Sequence, residues 1–567
     1  MHQPAAKPAP SPEAPAQRLR QGVGPLLQVL ASLLWIPQAG LLAYAVQCLG
    51  EGDGVASLWW PAAGVLLLGL LRAACDALGQ RLVFKAARRS LSEARQRVVW
   101  ALSLRSPLDA ARSASGLAAS VLAEQSEALL PYLTRFQPAR LRSTLVPLAI
   151  LAAVAPLSWV AALILLFAAP LIPLFMALVG WRAQAASAEH LGEMGGMNAF
   201  LLDRLRGLAT LRALGAVERT AQQVRQSAQQ LRQRTMAVLR IAFLSSAVLE
   251  LFSALGVALV AVFVGFHLLG ELNFGAWGER LSLGQALFVL LLAPAFFEPL
   301  RELSAVWHDR AAGQAALQAM AQLEAQGLPL TGATSRAEVA VLHGRHAPAL
   351  QIEGLRFAHP GAALPVFEGL DLRVASGEHV ALLAPSGAGK STLLALLAGL
   401  APLQAGTIHI AGVELNDATA AALRERMGWL GQRPHLFAGD VWHNIGLGAH
   451  GLDRGRAAEA LQQVQLESLA QDARGLGEGG SGLSGGEAVR LALARMAAWP
   501  HRDLLLVDEP TAHLDQATAD EVTDVLLALA KGKTLLVATH DPVLAARLHR
   551  SVRLQSAPSV GELEAVA

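Results

Sequence analysis

HVALLAPSGAGKSTLLALLAGL, residues 379–400, decides the architecture of the C-terminal part of this chain. It opens with an apolar run of strand length, passes through a Gly- and Ser-rich turn, and continues as a leucine-rich segment of helical length. Such a strand–loop–helix aims backbone N–H groups and the positive end of a helix dipole at one point, which makes it an anion site. Gly387 and Gly389 let the backbone approach a phosphate closely. Lys390 is placed to reach β- and γ-phosphates, and Ser391 offers a hydroxyl to Mg²⁺. Pro385, Ser386, Ala388 and Thr392 complete the loop. Ala384 stands where the pattern usually has glycine, and alanine fits there if φ stays negative.

One glycine-rich loop is a weak signal, but an ordered series of further motifs is a strong one. Gln432, LSGGE (483–487), LLLVDEP (504–510) and His540 succeed the loop in that order. Asp508 ends an apolar strand and is expected to hold Mg²⁺ through water, with Gln432 and Ser391 as the other Mg²⁺ contacts. Glu509 is placed to polarise an attacking water, and His540 to contact the γ-phosphate. Phosphoryl transfer is mostly positioning and charge stabilisation, so this set suffices once closed. Pro434, Leu436 and Phe437, beside Gln432, are expected to face a membrane domain. LSGGE opens a second helix, so Leu483, Ser484, Gly485, Gly486 and Glu487 form a second anion site.

Together these elements resemble an ABC-type ATPase. The resemblance implies that residues 483–487 cover the ATP held by a partner chain, with two nucleotides sandwiched at a dimer interface. It also implies that an aromatic residue stacks on adenine; the matching position here is His359, with Arg356 and Phe357 nearby. Glu487 stands where glutamine is commoner, which can alter turnover. Gly477-Glu478-Gly479-Gly480 resembles a short exporter segment that contacts the membrane domain.

The remainder of the 567 residues is mostly apolar: hydrophobic residues make up 53% and charged residues 16% of the whole chain, against about 25% charged in soluble domains. The net charge of +2 and the lack of a basic–aromatic stripe argue against nucleic acid as a partner. Cys48 and Cys75 fit neither a zinc spacing nor a disulfide framework and read as small buried residues. The Ala- and Pro-rich residues 1–20 are expected to be a disordered tail. The apolar stretch after Arg18 and Arg20 outruns a signal-peptide core and reads as a retained membrane helix.

Six stretches can each cross a bilayer, near 25–50, 57–80, 131–155, 159–180, 241–269 and 283–308. Segments 81–130 and 181–240 are rich in arginine, whereas the short loops between the other stretches carry only Arg280. The positive-inside rule therefore places both long segments, the N-terminus and the C-terminal domain in the cytoplasm. At 1.5 Å per residue the long segments form helical stalks reaching roughly 30–40 Å beyond the membrane. The expected division is a six-helix, all-α transmembrane domain (21–320), a Gly- and Pro-containing linker (321–348) and an α/β nucleotide-binding domain (349–560). This is the layout of type IV ABC exporters.

APLIPLFMALVGWRAQ (169–184), FLLDRLRGLATLRALG (200–215), the apolar run 233–266 and LAPAFFEPLREL (292–303) resemble the CydD subunits of thiol reductant ABC exporters. That resemblance implies a CydC-type partner, a heterodimer in a bacterial inner membrane, and export of cysteine or glutathione to the periplasm in support of cytochrome bd assembly. Haem is a competing cargo or cofactor, and a lipid or drug exporter would share the same machinery.

Several ionisable residues fall within the expected crossings, where they should pair or face a polar cavity. Arg72 and Asp76 are four apart and read as a neutralising pair or as cargo contacts; Glu250, Glu298 and Arg301 carry the same alternatives. Arg135, Arg140 and Arg142, near Tyr132, either snorkel to the interface or attract a carboxylate. Trp307 and His308 are candidates to flank or ligate a porphyrin, or form an ordinary interfacial helix end.

Overall fold

A computed structural model of the chain describes residues 22–554 apart from 53, 110–111, 114, 171–199, 202, 206, 278–279, 326, 334–346, 363, 386, 449–451 and 472–474. The expected tail (1–20), much of the fourth crossing, half of the linker, and Ser386 therefore lie outside the described residues. Two compact units emerge, one from residues 1–100 with 113–325, the other from 101–112 with 326–567.

The first unit is helical. Its main helices are α1 (Val23–Leu33), α2 (Trp35–Glu51), α3 (Trp59–Ser103), α4 (Gln137–Val154), α5 (Trp159–Ala168), α6 (Val217–Leu269), α7 (Leu283–Ala305) and α8 (Trp307–Glu324). Among the described residues, four helical stretches are long and apolar enough to cross a membrane: Val23–Glu51, Ala56–Ser103, Glu250–Leu269 and Leu283–Glu324. Trp59, Leu66, Leu67, Leu70 and Phe243 stay exposed, while Val260, Phe263, Leu292, Phe296 and Phe297 fill an interior against α4 and α5.

Close packing sets which helices touch. A Cβ on Gly256 of α6 would lie 2.4 Å from the Phe297 ring of α7, so glycine is what lets the two helices meet. α7 carries Pro294 and Pro299 and α4 carries Pro147, tolerated because neighbouring helices cover the freed carbonyls. A π-helical turn, Tyr132–Phe136, precedes α4.

The second unit is α/β. A five-stranded parallel sheet runs in the order β6 (Met427–Leu430), β7 (Leu504–Asp508), β8 (Thr534–Thr539), β3 (His379–Leu383), β9 (Arg550–Arg553). β7 and β8 are buried at every position, which is why they read as unbroken apolar runs rather than alternating ones. An antiparallel sheet of β2 (Phe367–Val374), β1 (Leu350–Phe357), β4 (Ala405–Ile410) and β5 (Val413–Glu414) packs with it into one core. Two helices of this unit begin at the motif residues, α9 (Lys390–Leu397) and α10 (Gly485–Ala497).

The tip of the first long cytoplasmic segment belongs to this unit. Ser106 N–H donates to the Leu328 carbonyl at 2.9 Å, Leu330 N–H donates to the Leu104 carbonyl at 2.8 Å, and Asp109 accepts from Leu328 N–H at 3.1 Å. Leu108 and Leu328 lie against the ATPase-domain core.

Candidate functional site

The strand order 7-8-3 decides where the phosphate chemistry gathers. Adjacent parallel strands end side by side, and ligands of such sheets bind beyond their carboxyl ends. The phosphate loop leaves β3, Asp508 and Glu509 close β7, and His540 comes directly after β8.

Gly387 and Gly389 have φ of +83° and +90°. A Cβ on Gly389 would also meet Val366 at 2.4 Å, so both conformation and space exclude a side chain there. Ala384 keeps a negative φ, and alanine at that position is unstrained. Lys390 is buried; its Nζ donates to the carbonyls of Ala384 (2.8 Å) and Pro385 (3.3 Å) and lies 3.6 Å from Glu509.

Glu509 is the hub. Gln432 Nε2 donates to it at 3.1 Å and His540 Nδ1 stands 3.4 Å away, so three widely separated residues converge on one carboxylate. Asp508 is buried, and its carboxyl is held above the usual range by loss of solvent, with a smaller push from Glu509; a hydrogen bond from Ser391 and the charge of Lys390 oppose this. Its Oδ1 is buried with no hydrogen-bond partner. An orphaned carboxylate oxygen beside a serine hydroxyl is a donor set suited to a hard divalent cation such as Mg²⁺.

His359 lies edge-on to Phe357, with ring centroids 5.3 Å apart, and its Nε2 is 3.3 Å from Thr392 Oγ1 in α9. The loop that would face a base is thereby tied to the loop that would face phosphates. Arg356 is taken up by Glu368.

At α10, Ser484 and Glu487 form a reciprocal cap: Ser484 N–H donates to the Glu487 carboxylate at 2.7 Å, and Glu487 N–H to Ser484 Oγ at 3.3 Å. Leu483, Gly485 and Gly486 complete this turn.

Leu436, expected to face outward, does not. It is 1% exposed, inside the ATPase domain's own core and close to Gly480, because the chain after Gln432 turns inward. Phe437 remains exposed. Sequence reading also missed what stakes this segment. Asn444, fully buried, exchanges hydrogen bonds with both backbone groups of Phe437 at 2.8 Å, while Arg495 of α10 donates to the carbonyls of His435 and Asn444 at 2.8 Å. Gly439 and Leu476 pair backbone to backbone. The Gln432 segment, the residues before LSGGE and α10 thus form one hydrogen-bonded body. Asp541 was missed too: it caps the helix Pro542–Ala546 and accepts from Thr511 at 3.0 Å, a role its position before proline could have signalled.

In the helical unit, Arg72 and Asp76 do not pair. Asp76 accepts from Gln80 at 2.8 Å, one turn on, and Arg72 lies over the Trp35 ring at 5.5 Å, since the aromatic face is the nearer partner. Arg301 pairs with Glu250 at 2.9 Å, and Arg142 with Glu302. Arg135 (3.4 Å) and His308 (3.0 Å) share Asp309. Trp307 is packed between the Phe136 ring edge and Arg310. Arg140 and Glu298 are exposed. Among the described residues no cluster of three metal-binding side chains exists.

The family profile of the ABC transporter transmembrane region matches residues 22–300, and that of the ABC transporter ATPase matches 367–512. The transport ATP-binding protein AarD of Providencia stuartii is 36% identical over 525 residues, 91% of this chain and 87% of that protein. The glutathione/L-cysteine transport system ATP-binding/permease protein CydD of Haemophilus influenzae is 37% identical, over 79% of this chain and 75% of its own. A solved bacterial Atm1-family ABC exporter with ATP bound superposes with a TM-score of 0.75 over 95% of this chain and 93% of that one, at 22% identity.

Proposed function

The chain belongs to the ABC transporters with fused membrane and ATP-binding domains and has the type IV exporter fold, and from that premise we propose that it is the CydD half of a thiol exporter. It hydrolyses ATP to move cysteine or glutathione out of the cytoplasm across a bacterial inner membrane, paired with a CydC-type half-transporter. The observation that carries this reading is that the likeness to a named glutathione/L-cysteine transport protein covers 79% of the chain and so extends well into the membrane unit. The ATPase motifs alone would fit any ABC protein.

In this reading the loop N–H groups of residues 387–391 take the phosphates, and Lys390 exchanges the Ala384 and Pro385 carbonyls for β- and γ-oxygens. Ser391 and Asp508 would hold Mg²⁺, with Gln432 nearby; bound there, the ion would supply neutralisation of phosphate charge. Glu509 orients the attacking water and draws on its proton. His540 and Gln432, already in contact with Glu509, position its carboxylate. The Ser484 turn acts on the ATP of the partner chain.

The test is ATPase activity of the chain purified with its partner, titrated with glutathione, cysteine and haemin. Stimulation by a thiol, with Glu509→Gln reducing turnover at least a hundredfold while leaving ATP binding intact, is the expected result. Stimulation by haemin alone would transfer the reading to a porphyrin transporter, and full turnover in Glu509→Gln would place the working site on the partner.

A further inference from the structure

The charged groups of α7 and α8 are nearly all accounted for. Arg301 is held by Glu250, Glu302 by Arg142, and Asp309 by Arg135 and His308. Glu298, one turn before Glu302, breaks the pattern. It is exposed and makes no hydrogen bond or ion pair with any described residue. It lies 15 residues into the stretch Leu283–Glu324, which is apolar enough to cross a membrane. That places it roughly 22 Å along a helix crossing a core of about 30 Å. An unpaired carboxylate at such a depth is expensive against lipid and belongs on a water-filled path.

The face it occupies is consistent. Pro294, Glu298, Ala305 and His308 are exposed along one side, while Ala293, Phe296 and Phe297 on the other side are buried.

We propose that Glu298 lines the cargo path and takes the ammonium group of a zwitterionic amino-acid cargo. The proposal rests on the reading of the cargo as cysteine or glutathione and deepens it: the transporter selects a free α-amino group, not the thiol alone. A neutral drug offers no ammonium group.

The test uses the full chain with its partner half-transporter in lipid vesicles. Wild-type ATPase is expected to respond to L-cysteine but far less to N-acetylcysteine, which keeps the thiol and carboxylate and lacks the ammonium. Glu298→Gln should raise the half-maximal cysteine concentration about tenfold, the loss of one charge-assisted hydrogen bond, and leave that for N-acetylcysteine unmoved. Glu298→Asp should recover part of the difference, which a merely structural defect would not. Equal cysteine responses in wild type and Glu298→Gln, with wild type still thiol-stimulated, would overturn the proposal and leave the thiol reading standing. Indifference of the wild type to every thiol would sink both. Separately, in a Cys48→Ser/Cys75→Ser background, Glu298→Cys should react with a lipid-impermeant thiol reagent; an unreactive position 298 faces lipid and overturns the proposal regardless of cargo.

Discussion

Glu509 shows how much one residue can be asked to do. Its φ is +47°, a left-handed conformation costing a non-glycine side chain roughly 1–3 kcal/mol. The strain is held by a backbone hydrogen bond to Ala538 at 2.8 Å and by the three side chains that meet its carboxylate. Glutamine fits the same backbone, so Glu509→Gln isolates the charge. A second residue-scale case lies at the opposite end of the parallel sheet. The His379 and His549 rings stack at 4.5 Å, and His549 Nδ1 accepts from His379 N–H at 3.1 Å. Loss of solvent holds His379 below its ordinary pKa. Below that ordinary value the unfolded chain binds a proton the folded one refuses, so stability is whole above about pH 6.5 and is lost as pH falls through the lowered folded value. Melting temperature should therefore drop between about pH 7.5 and 5.5, and His379→Gln should flatten that slope, measured by thermal unfolding of the full protein in detergent.

Among elements, the segment 435–445 carries the most consequence. It is short, with His435, Phe437, Ala438, Gly439 and Asp440 exposed as in a surface loop, yet Asn444 and Arg495 pin it to α10 and Gly439 pins it to Leu476. Burial removes solvent from Arg495 and lowers its pKa, so its fork is committed to these carbonyls. Asn444→Ala would strand the Phe437 N–H and C=O together, a cost of about 1–3 kcal/mol for each buried group left unpaired. We expect a lower melting temperature and impaired ATP turnover, since Gln432 sits at the head of the segment; Asn444→Asp keeps the acceptor for Phe437 N–H but turns a carboxylate on the Phe437 and Asp440 carbonyls and should be no milder. Unchanged stability in Asn444→Ala would mean the segment is held elsewhere.

For the whole molecule, the two units belong to one transport cycle only if ATP closes two chains together. In the arrangement proposed above, the Ser484 turn would serve the partner's nucleotide and make the working site a property of the pair. ATPase activity should accordingly be low for the chain alone and rise with added CydC-type partner to a plateau at about one to one. A chain fully active by itself would exclude the composite arrangement.

The ATPase fold was legible because its signals are local: a buried strand, a glycine turn and a helix are adjacent in sequence, and so are Asp508 and Glu509. In the membrane unit four of the six expected crossings appear among the described residues as helices long and apolar enough, since length and apolarity alone meet the bilayer's demand; the third, whose helix opens on Arg140 and Arg142, is not among them, and much of the fourth lies outside the described residues. What sequence could not supply is which distant residues meet. Arg72 and Asp76 are spaced for pairing yet choose Trp35 and Gln80, while Arg301 finds Glu250 51 residues away and Arg142 finds Glu302 160 residues away. Leu436 turned inward for the same reason. Periodicity fixes which element a residue joins; helix packing and strand order decide its neighbours, and so which charges are neutralised and that Glu298 is left free.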